Sequence, residues 1–352
     1  MSARSWSRWM LPVLALLVTV VAASPAGAQA VEKPNVSFML DWTIAGTHAP
    51  YFIPLDKGYY KAEGLTVKID RGTGAVNTAI NVASGVYDFG WADVTSLIAF
   101  NAQNPTKELT LVYVSFQDAP LAIVSLKSNP VWTLKDLAGK TIGDWHGGAA
   151  GEIINLVTRA GTPDEIKFSR KYLSPQLREP MLIKKDVDAI FAFDVSSVMT
   201  LVDLGVPRDQ IVVLRYADIG FDVYGTGMWV RRDFLEKNPK TIAAMVRAVN
   251  KGTLDAIANP AAAAEMMTKY APLLKPDIEC QRLMLALTHH LSPDVAKRGL
   301  SHVDPARMQK TIEQVVNVQK FERTPQLDHV WTDKFLPPQA ERMAAPLGKC
   351  AK

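Results

Sequence analysis

Short apolar, β-branched runs alternate with helix-length stretches along most of this chain, and the alternation runs through twice before it stops. Strands are expected at 36–40, 65–69, 87–91, 109–116 and 121–126, with helices at 47–60, 77–84 and 94–103. The pattern restarts with strands at 141–144, 166–172, 189–193 and 211–215 and helices at 149–159, 175–183 and 195–204. Strands alternating with helices of about ten to fifteen residues predict a parallel-sheet α/β architecture. One more strand follows at 226–230, and the rest is helical, at 239–258, 261–270, 279–287 and 305–319. So few strands cannot easily build a third sheet domain. The helical region is expected to pack on the first unit, which the chain would leave and re-enter. At 352 residues the length suits about two domains. A hydrophobic fraction of 48% excludes a disordered chain.

The first thirty residues read as an address. Arg4 and Arg8 make a positive start, residues 11–23 are apolar apart from Pro12 and Thr19, and Ala-x-Ala sites follow at 26–28 and 28–30. These are the parts of a secretory signal peptide. The run is too short for a membrane span, which needs about 20 apolar residues. The mature chain is therefore expected to be exported and not membrane-inserted. The formal net charge is only +4, and Arg4 and Arg8 lie in the leader, so no basic surface argues for nucleic acid. Two cysteines exclude a disulfide-dense scaffold and a Cys-rich zinc site. In an oxidising compartment Cys280 and Cys350 could pair.

In open α/β sheets ligands gather beyond the C-terminal strand ends, where loops lead into helix N-termini. Five loops qualify: 41–48, 71–74, 91–93, 145–148 and 193–194. The first carries Trp42 and His48, a flat π face and a hydrogen-bonding ring, with Tyr51 just beyond. Phe116, Trp145, Phe193 and Tyr224 come from other strand ends and would add walls. Aromatics at several strand ends suit a flat, partly apolar ligand better than a small inorganic ion. Gly72, Thr73 and Gly74, and the pair Gly147 and Gly148, would let backbone approach a ligand closely. Neither glycine group completes a dinucleotide or phosphate-cradling fingerprint. Asp93 and Asp194 are expected as helix caps that can also accept a hydrogen bond from a ligand. For an anion, these loops offer only Arg71.

The chain has no G-x-S-x-G elbow, no H-E-x-x-H and no cysteine in a reactive setting. His289 and His290 are expected to be a solvated surface pair. No metal and no cofactor are expected.

Four segments carry a resemblance to a known family: Leu40-Asp-Trp-Thr43 with His48 after it, the stretch 57–67, the stretch 85–90 and the stretch 134–142. Across about residues 35–255 the chain resembles the periplasmic substrate-binding proteins of the thiamine-pyrimidine-synthase-like family, relatives of the sulfonate, nitrate and taurine binders. The resemblance implies a two-lobed, type II periplasmic binding protein, each lobe a mixed sheet flanked by helices, joined by a two-crossing hinge. On that plan residues 1–30 are the signal peptide, 31–120 and 225–352 form lobe I, and 121–224 form lobe II. The crossings would lie near 118–122 and 219–224.

The implied function is the solute-binding component of an ABC importer in the periplasm. A monomer would clamp a flat heteroaromatic solute, such as a thiamine pyrimidine precursor, and hand it to an ATP-driven permease. An early-loop Trp and His of the pyrimidine branch correspond to Trp42 and His48. The eukaryotic pyrimidine synthases of the family carry a Cys-rich iron motif that this sequence lacks. With the leader, that absence implies a binder and not an enzyme. The alternatives are the same role for a sulfonate, nitrate or aromatic carboxylate, and, in another class, an exported pyrimidine-forming or hydrolytic enzyme. A third is a sensory protein presenting its ligand to a membrane receptor.

Overall fold

The structure is a computed structural model that describes residues 30–145, 150–151 and 166–350. The expected leader, the glycine pair Gly147 and Gly148 and most of the helix expected at 149–159 lie outside the described residues.

Among the described residues ten strands form two five-stranded sheets. The first holds β1 (Asn35–Met39), β2 (Thr66–Asp70), β3 (Phe89–Asp93) and β4 (Leu109–Val114), with β10 (Thr226–Arg231), in the order β2-β1-β3-β10-β4. The second holds β5 (Leu121–Leu126), β6 (Thr141–Asp144), β7 (Ser169–Tyr172), β8 (Ala189–Phe193) and β9 (Ile211–Arg215), in the order β7-β6-β8-β5-β9. The central strands β3 and β8 and the edge strand β4 are almost wholly buried, as their mainly apolar sequences require. The edge strands β2 and β7 expose Lys68 and Lys171, charged side chains that discourage pairing with another chain.

Each sheet is mixed, as the family resemblance implied, and not parallel as strand–helix alternation alone indicated. β10 runs antiparallel to β3 and β4, and β5 runs antiparallel to β8 and β9. These are the strands by which the chain enters a sheet from the other one. A parallel entry needs a crossover helix, and a direct entry reverses direction. The two sheets therefore share one topology, although no repeat is visible in the sequence.

The helix expected at 47–60 is broken into a 3-10 turn (Gly46–His48), α1 (Ala49–Asp56) and one further turn (Tyr59–Ala62). Gly58 lies between the last two with φ +73°, a left-handed conformation that ends α1. Further helices that position the site are α2 (Ala75–Ala83), α3 (Val94–Gln103), α4 (Arg178–Ile183) and α5 (Asp194–Asp203). The late helices α6 (Pro239–Ala258), α7 (Pro260–Met267) and α8 (Pro276–His290) bury Met245, Val249, Met267 and Leu283 with Phe38, Phe52 and Phe89 of the first sheet's core. α9 (Pro305–Gln319) packs Met308 and Ile312 in a second cluster with Leu97 of α3 and Leu111 of β4. Cys280 on α8 and Cys350 form a disulfide, Cα to Cα 5.8 Å, that ties the C-terminal tail to this layer.

His289 and His290 are not a solvated pair. They are 3% and 2% exposed at the end of α8. α8 runs further than the sequence pattern indicated, and its last turn lies against Phe116.

Candidate functional site

A cavity of about 260 Å³ lies between the C-terminal ends of the strands of both sheets. The first sheet supplies Asp41, Trp42 and His48 from the loop after β1, Gly74 from the loop after β2, Trp91 and Asp93 from β3, and Phe116 beyond β4. The second supplies Trp145 after β6, Phe191 and Phe193 of β8, and Arg178 of α4. α8 adds Glu279 and Arg282.

The walls are aromatic and mutually edge-on. Trp42 and Trp145 come from opposite sheets and meet with centroids 5.1 Å apart at 88°. His48 packs on Trp91 at 5.1 Å and 81°, and Trp91 on Phe116 at 5.8 Å and 88°. The loop after β2 is drawn against the loop after β1 by hydrogen bonds from Gly72 N–H to the Trp42 carbonyl and from Gly74 N–H to the Asp41 carbonyl, 3.0 and 2.6 Å. Gly74 has φ +125°, and a Cβ there would lie 2.4 Å from Cη2 of Trp145. The glycine is thus the notch into which the second sheet's tryptophan fits.

Three buried polar atoms at the first-sheet end have no hydrogen-bond partner among the described residues: Asp41 Oδ1, His48 Nε2 and Asp93 Oδ2. Asp93 caps α3 with its other oxygen, which accepts from the Ser96 N–H at 2.8 Å and the Thr95 hydroxyl at 2.5 Å. His48 accepts the Ala45 N–H at Nδ1, 3.1 Å, which leaves the N–H of the neutral ring at Nε2. That Nε2 is 3.7 Å from Asp41 Oδ1, beyond hydrogen-bond reach. Burial raises the Asp41 carboxyl above the ordinary range, an effect partly offset by His48. Burial likewise raises Asp93, opposed by its hydrogen bonds to Thr95 and Ser96.

The charged groups from the second sheet and α8 are, by contrast, already paired. Asp144 accepts from Arg170 Nη1 and the Trp145 N–H, each at 2.8 Å. Arg178 donates to Glu179 at 2.8 Å, Ser197 at 2.9 Å and the Phe191 carbonyl at 3.1 Å. Arg282 donates to Glu279 and to the Ser196 carbonyl. Both lining arginines are thus committed within the protein.

Of the residues singled out from sequence, the cavity brings together Trp42, His48, Gly74, Asp93, Phe116, Trp145 and Phe193. Gly147 and Gly148 lie outside the described residues, and the rest stand elsewhere. Tyr51 is buried behind the wall, its hydroxyl 2.5 Å from Ser115 Oγ, which also accepts from Trp91 Nε1 at 3.2 Å. Gly72 is structural: a Cβ there would fall 2.0 Å from the Leu40 carbonyl oxygen. Thr73 is exposed and accepts from Asn77. Asp194 is no cap. It is the first residue of α5, and its carboxylate turns from the cavity toward Arg215 Nε at 2.8 Å and His289 Nε2 at 3.2 Å. Tyr224 is buried with its hydroxyl accepting from the Asp304 N–H and its ring under Arg307. Arg71, the one loop arginine, does not line the cavity. Sequence reasoning missed Asp144, Arg178, Phe191, Glu279 and Arg282. For the last two a signal existed: charged residues three apart on the helix face that also carries Leu283 and Ala286.

Residues 45–263 match the family described as NMT1/THI5 like, and the chain belongs to that family. It is 26% identical over 239 residues to 4-amino-5-hydroxymethyl-2-methylpyrimidine phosphate synthase of Schizosaccharomyces pombe, a match covering 64% of this chain and 66% of that protein's own length. It is 25% identical over 342 residues to the riboflavin-binding protein RibY of Chloroflexus aurantiacus, covering 91% of this chain and 92% of that one. Its fold is similar to that of the alkanesulfonate-binding protein SsuA from Xanthomonas axonopodis bound to MOPS, with a TM-score of 0.61 and 15% identity, over 86% of this chain and 98% of that chain. The fold is that of the periplasmic binding proteins. The expectation that the chain is no enzyme does not stand beside these relatives. Several of them, at about 25% identity, bear the name of a phosphate synthase. The G-x-S-x-G and H-E-x-x-H motifs that the sequence lacks are those of hydrolases and proteases, and their absence does not bear on such a reaction.

Proposed function

We propose that this protein is the solute-binding component of a periplasmic importer, and that it clasps a small planar nitrogen heterocycle between the two sheets. The observation that carries the reading is the set of unpartnered buried atoms Asp41 Oδ1, His48 Nε2 and Asp93 Oδ2 at the end of an aromatic-walled cavity. Two carboxylate oxygens ask for N–H donors, and the His48 N–H asks for a ring nitrogen or carbonyl. An aminopyrimidine offers both on one flat edge. Leaving these groups unpaired costs about 1–3 kcal/mol each, which a ligand that satisfies them recovers. The ring would lie against Trp42 and be covered by Trp145. Lobe I (31–120 and 225–352) and lobe II (121–224) would close about the crossings near 118–122 and 219–224. The export address at 1–30 and the binding-protein fold support a periplasmic monomer that delivers its solute to an ATP-driven permease.

A second reading has an observation of its own. The fold neighbours named for sulfonates favour an organic anion in the same role. The committed arginines weigh against it. A thermal-shift series on the mature chain decides between them, with 4-amino-5-hydroxymethyl-2-methylpyrimidine, riboflavin, taurine, MOPS and nitrate as probes. Stabilisation by the pyrimidine or the flavin, lost in Asp93→Asn, is the expected result. Stabilisation by taurine or MOPS alone would replace the heterocycle with the anion. Mass analysis of the same mixtures registers any turnover and so tests the synthase chemistry of the relatives.

A further inference from the structure

α8 packs with the first sheet through Leu283, Ala286 and Leu287, yet its polar side chains reach across the cleft. Glu279 Oε2 accepts the Gly46 N–H at 2.5 Å. Gly46 opens the turn that aims His48, and a Cβ on it would lie 2.3 Å from the Glu279 carbonyl oxygen, so turn and helix are in close contact. Arg282 Nε donates to the same carboxylate at 3.1 and 3.2 Å, while its Nη1 donates to the Ser196 carbonyl at 2.6 Å. Ser196 belongs to the first turn of α5, which follows β8 of the second sheet. Glu279 and Arg282 are only 4% and 7% exposed.

At its other end α8 is fixed where the chain passes between the sheets. The His289 carbonyl accepts the Gln117 N–H at 2.7 Å, and the ring lies 3.2 Å from Asp194 Oδ1 and 3.6 Å from Asp118 Oδ2. Seven helical residues span about 10 Å, so Arg282 grips α5 at a distance from that fulcrum. A buried ion pair is weak evidence for stability, because desolvation offsets most of its attraction; fixing one geometry is its better-attested use.

We infer that Glu279 and Arg282 form a closure latch, positioning residues that join α5 of the second sheet to the turn carrying His48. When the second sheet approaches, Arg282 engages the Ser196 carbonyl, its guanidinium orients Glu279, and Glu279 fixes Gly46 and with it the His48 ring. Recognition by His48 is thereby coupled to closure. The inference rests on the reading that the two halves close on a solute.

The test uses the full mature chain with its disulfide intact. Nitroxide labels are placed through Lys61→Cys and Ser128→Cys, exposed positions on opposite sheets. Interlabel distances and hydrogen exchange of the 42–48 segment are measured without solute and with 4-amino-5-hydroxymethyl-2-methylpyrimidine. Arg282→Gln is expected to lower the short-distance population at least fivefold and to raise exchange of the 42–48 segment about tenfold. Glu279→Gln is expected to raise that exchange while leaving the distances unchanged. Lys275→Ala, which removes the exposed ion pair to Asp203 across the same cleft, is expected to change neither. Should Arg282→Gln not fold, Arg282→Lys keeps the charge without the fork and is expected to act in the same direction. A wild-type chain that opens and closes beside an Arg282 variant with unchanged distances and exchange overturns the latch. A wild-type chain held at one distance with and without solute overturns instead the closure reading on which the latch rests.

Discussion

The two sheets share one strand order, yet they present opposite chemistry to the cavity between them. The first brings Asp41, His48 and Asp93 with an unpartnered atom each, while the second brings Asp144 and Arg178 with their charges already matched inside the protein. Groups left unsatisfied in a folded protein cost stability and are kept where something else satisfies them. On the proposed function, the difference gives reading of the solute to the first sheet and covering of it to the second. Trp42 and Trp145 stand on either side of that division, one beside the unpartnered atoms and the other seated in the notch at Gly74.

Substitutions on the two sides put the division at risk, beginning with the largest effect. Trp42→Ala is expected to abolish solute-dependent thermal stabilisation, a loss of about 3 kcal/mol or more than a hundredfold in affinity. Asp93→Asn keeps the helix cap but removes the charge, and is expected to weaken binding of an N–H-bearing solute about thirtyfold by calorimetry. The same change should raise the Tm of the solute-free protein by about 2 °C at neutral pH. The sign follows from burial: an acid raised in the folded state favours folding when protonated, and that contribution is lost as pH rises through its folded value. Trp145→Ala is expected to be milder, roughly tenfold, and mainly in the dissociation rate measured by stopped flow. A greater loss from Trp145→Ala than from Trp42→Ala would reverse the assignment of the two sheets.

The smallest effect concerns the fulcrum of α8. Burial opposes protonation of His289, but hydrogen bonds and charge from Asp118 and Asp194 outweigh it and raise the ring to about 9. Arg215 also pairs with Asp194, and the neighbouring His290 is pushed down to about 3 by burial and by the charge of His289. A base raised in the folded state stabilises it fully below the unfolded value near 6.5, and the effect fades as pH climbs through about 9. Urea midpoints should therefore fall between pH 6.5 and 9.5 in the native chain. The fall should be shallower in His289→Gln.

Much of the fold was legible because buried strands announce themselves locally. The runs at β5, β6, β8 and β9 stand where the sequence placed them, and Asp93 caps α3 as expected. Strand direction was not legible in the same way, since whether β5 and β10 run with or against their neighbours depends on partners far away in the chain. The site divides along the same line. Trp42, His48 and Asp93 sit at strand–helix junctions, which the local sequence marks by itself. Glu279 meets Gly46 across 233 residues, and no pattern within α8 names that partner. Tyr51 and Tyr224 misled because an aromatic at a strand end packs equally well behind a wall as on it. Asp194 misled because it starts a helix yet turns its carboxylate toward His289 and Arg215.

The place of β10 in the first sheet has a consequence for how the chain is made. β3 and β4 are complete by residue 114, but the strand that joins them is synthesised only at 226–231. Every described strand of the second sheet lies between 121 and 215, so that sheet can assemble from a continuous piece while the facing edges of β3 and β4 in the first are still unpaired. Long-range pairing of this kind is slow and leaves apolar edges exposed in the interim. An emerging chain therefore acquires its second sheet before its first. A product cut short near residue 220 keeps the former and turns the latter into an aggregation hazard.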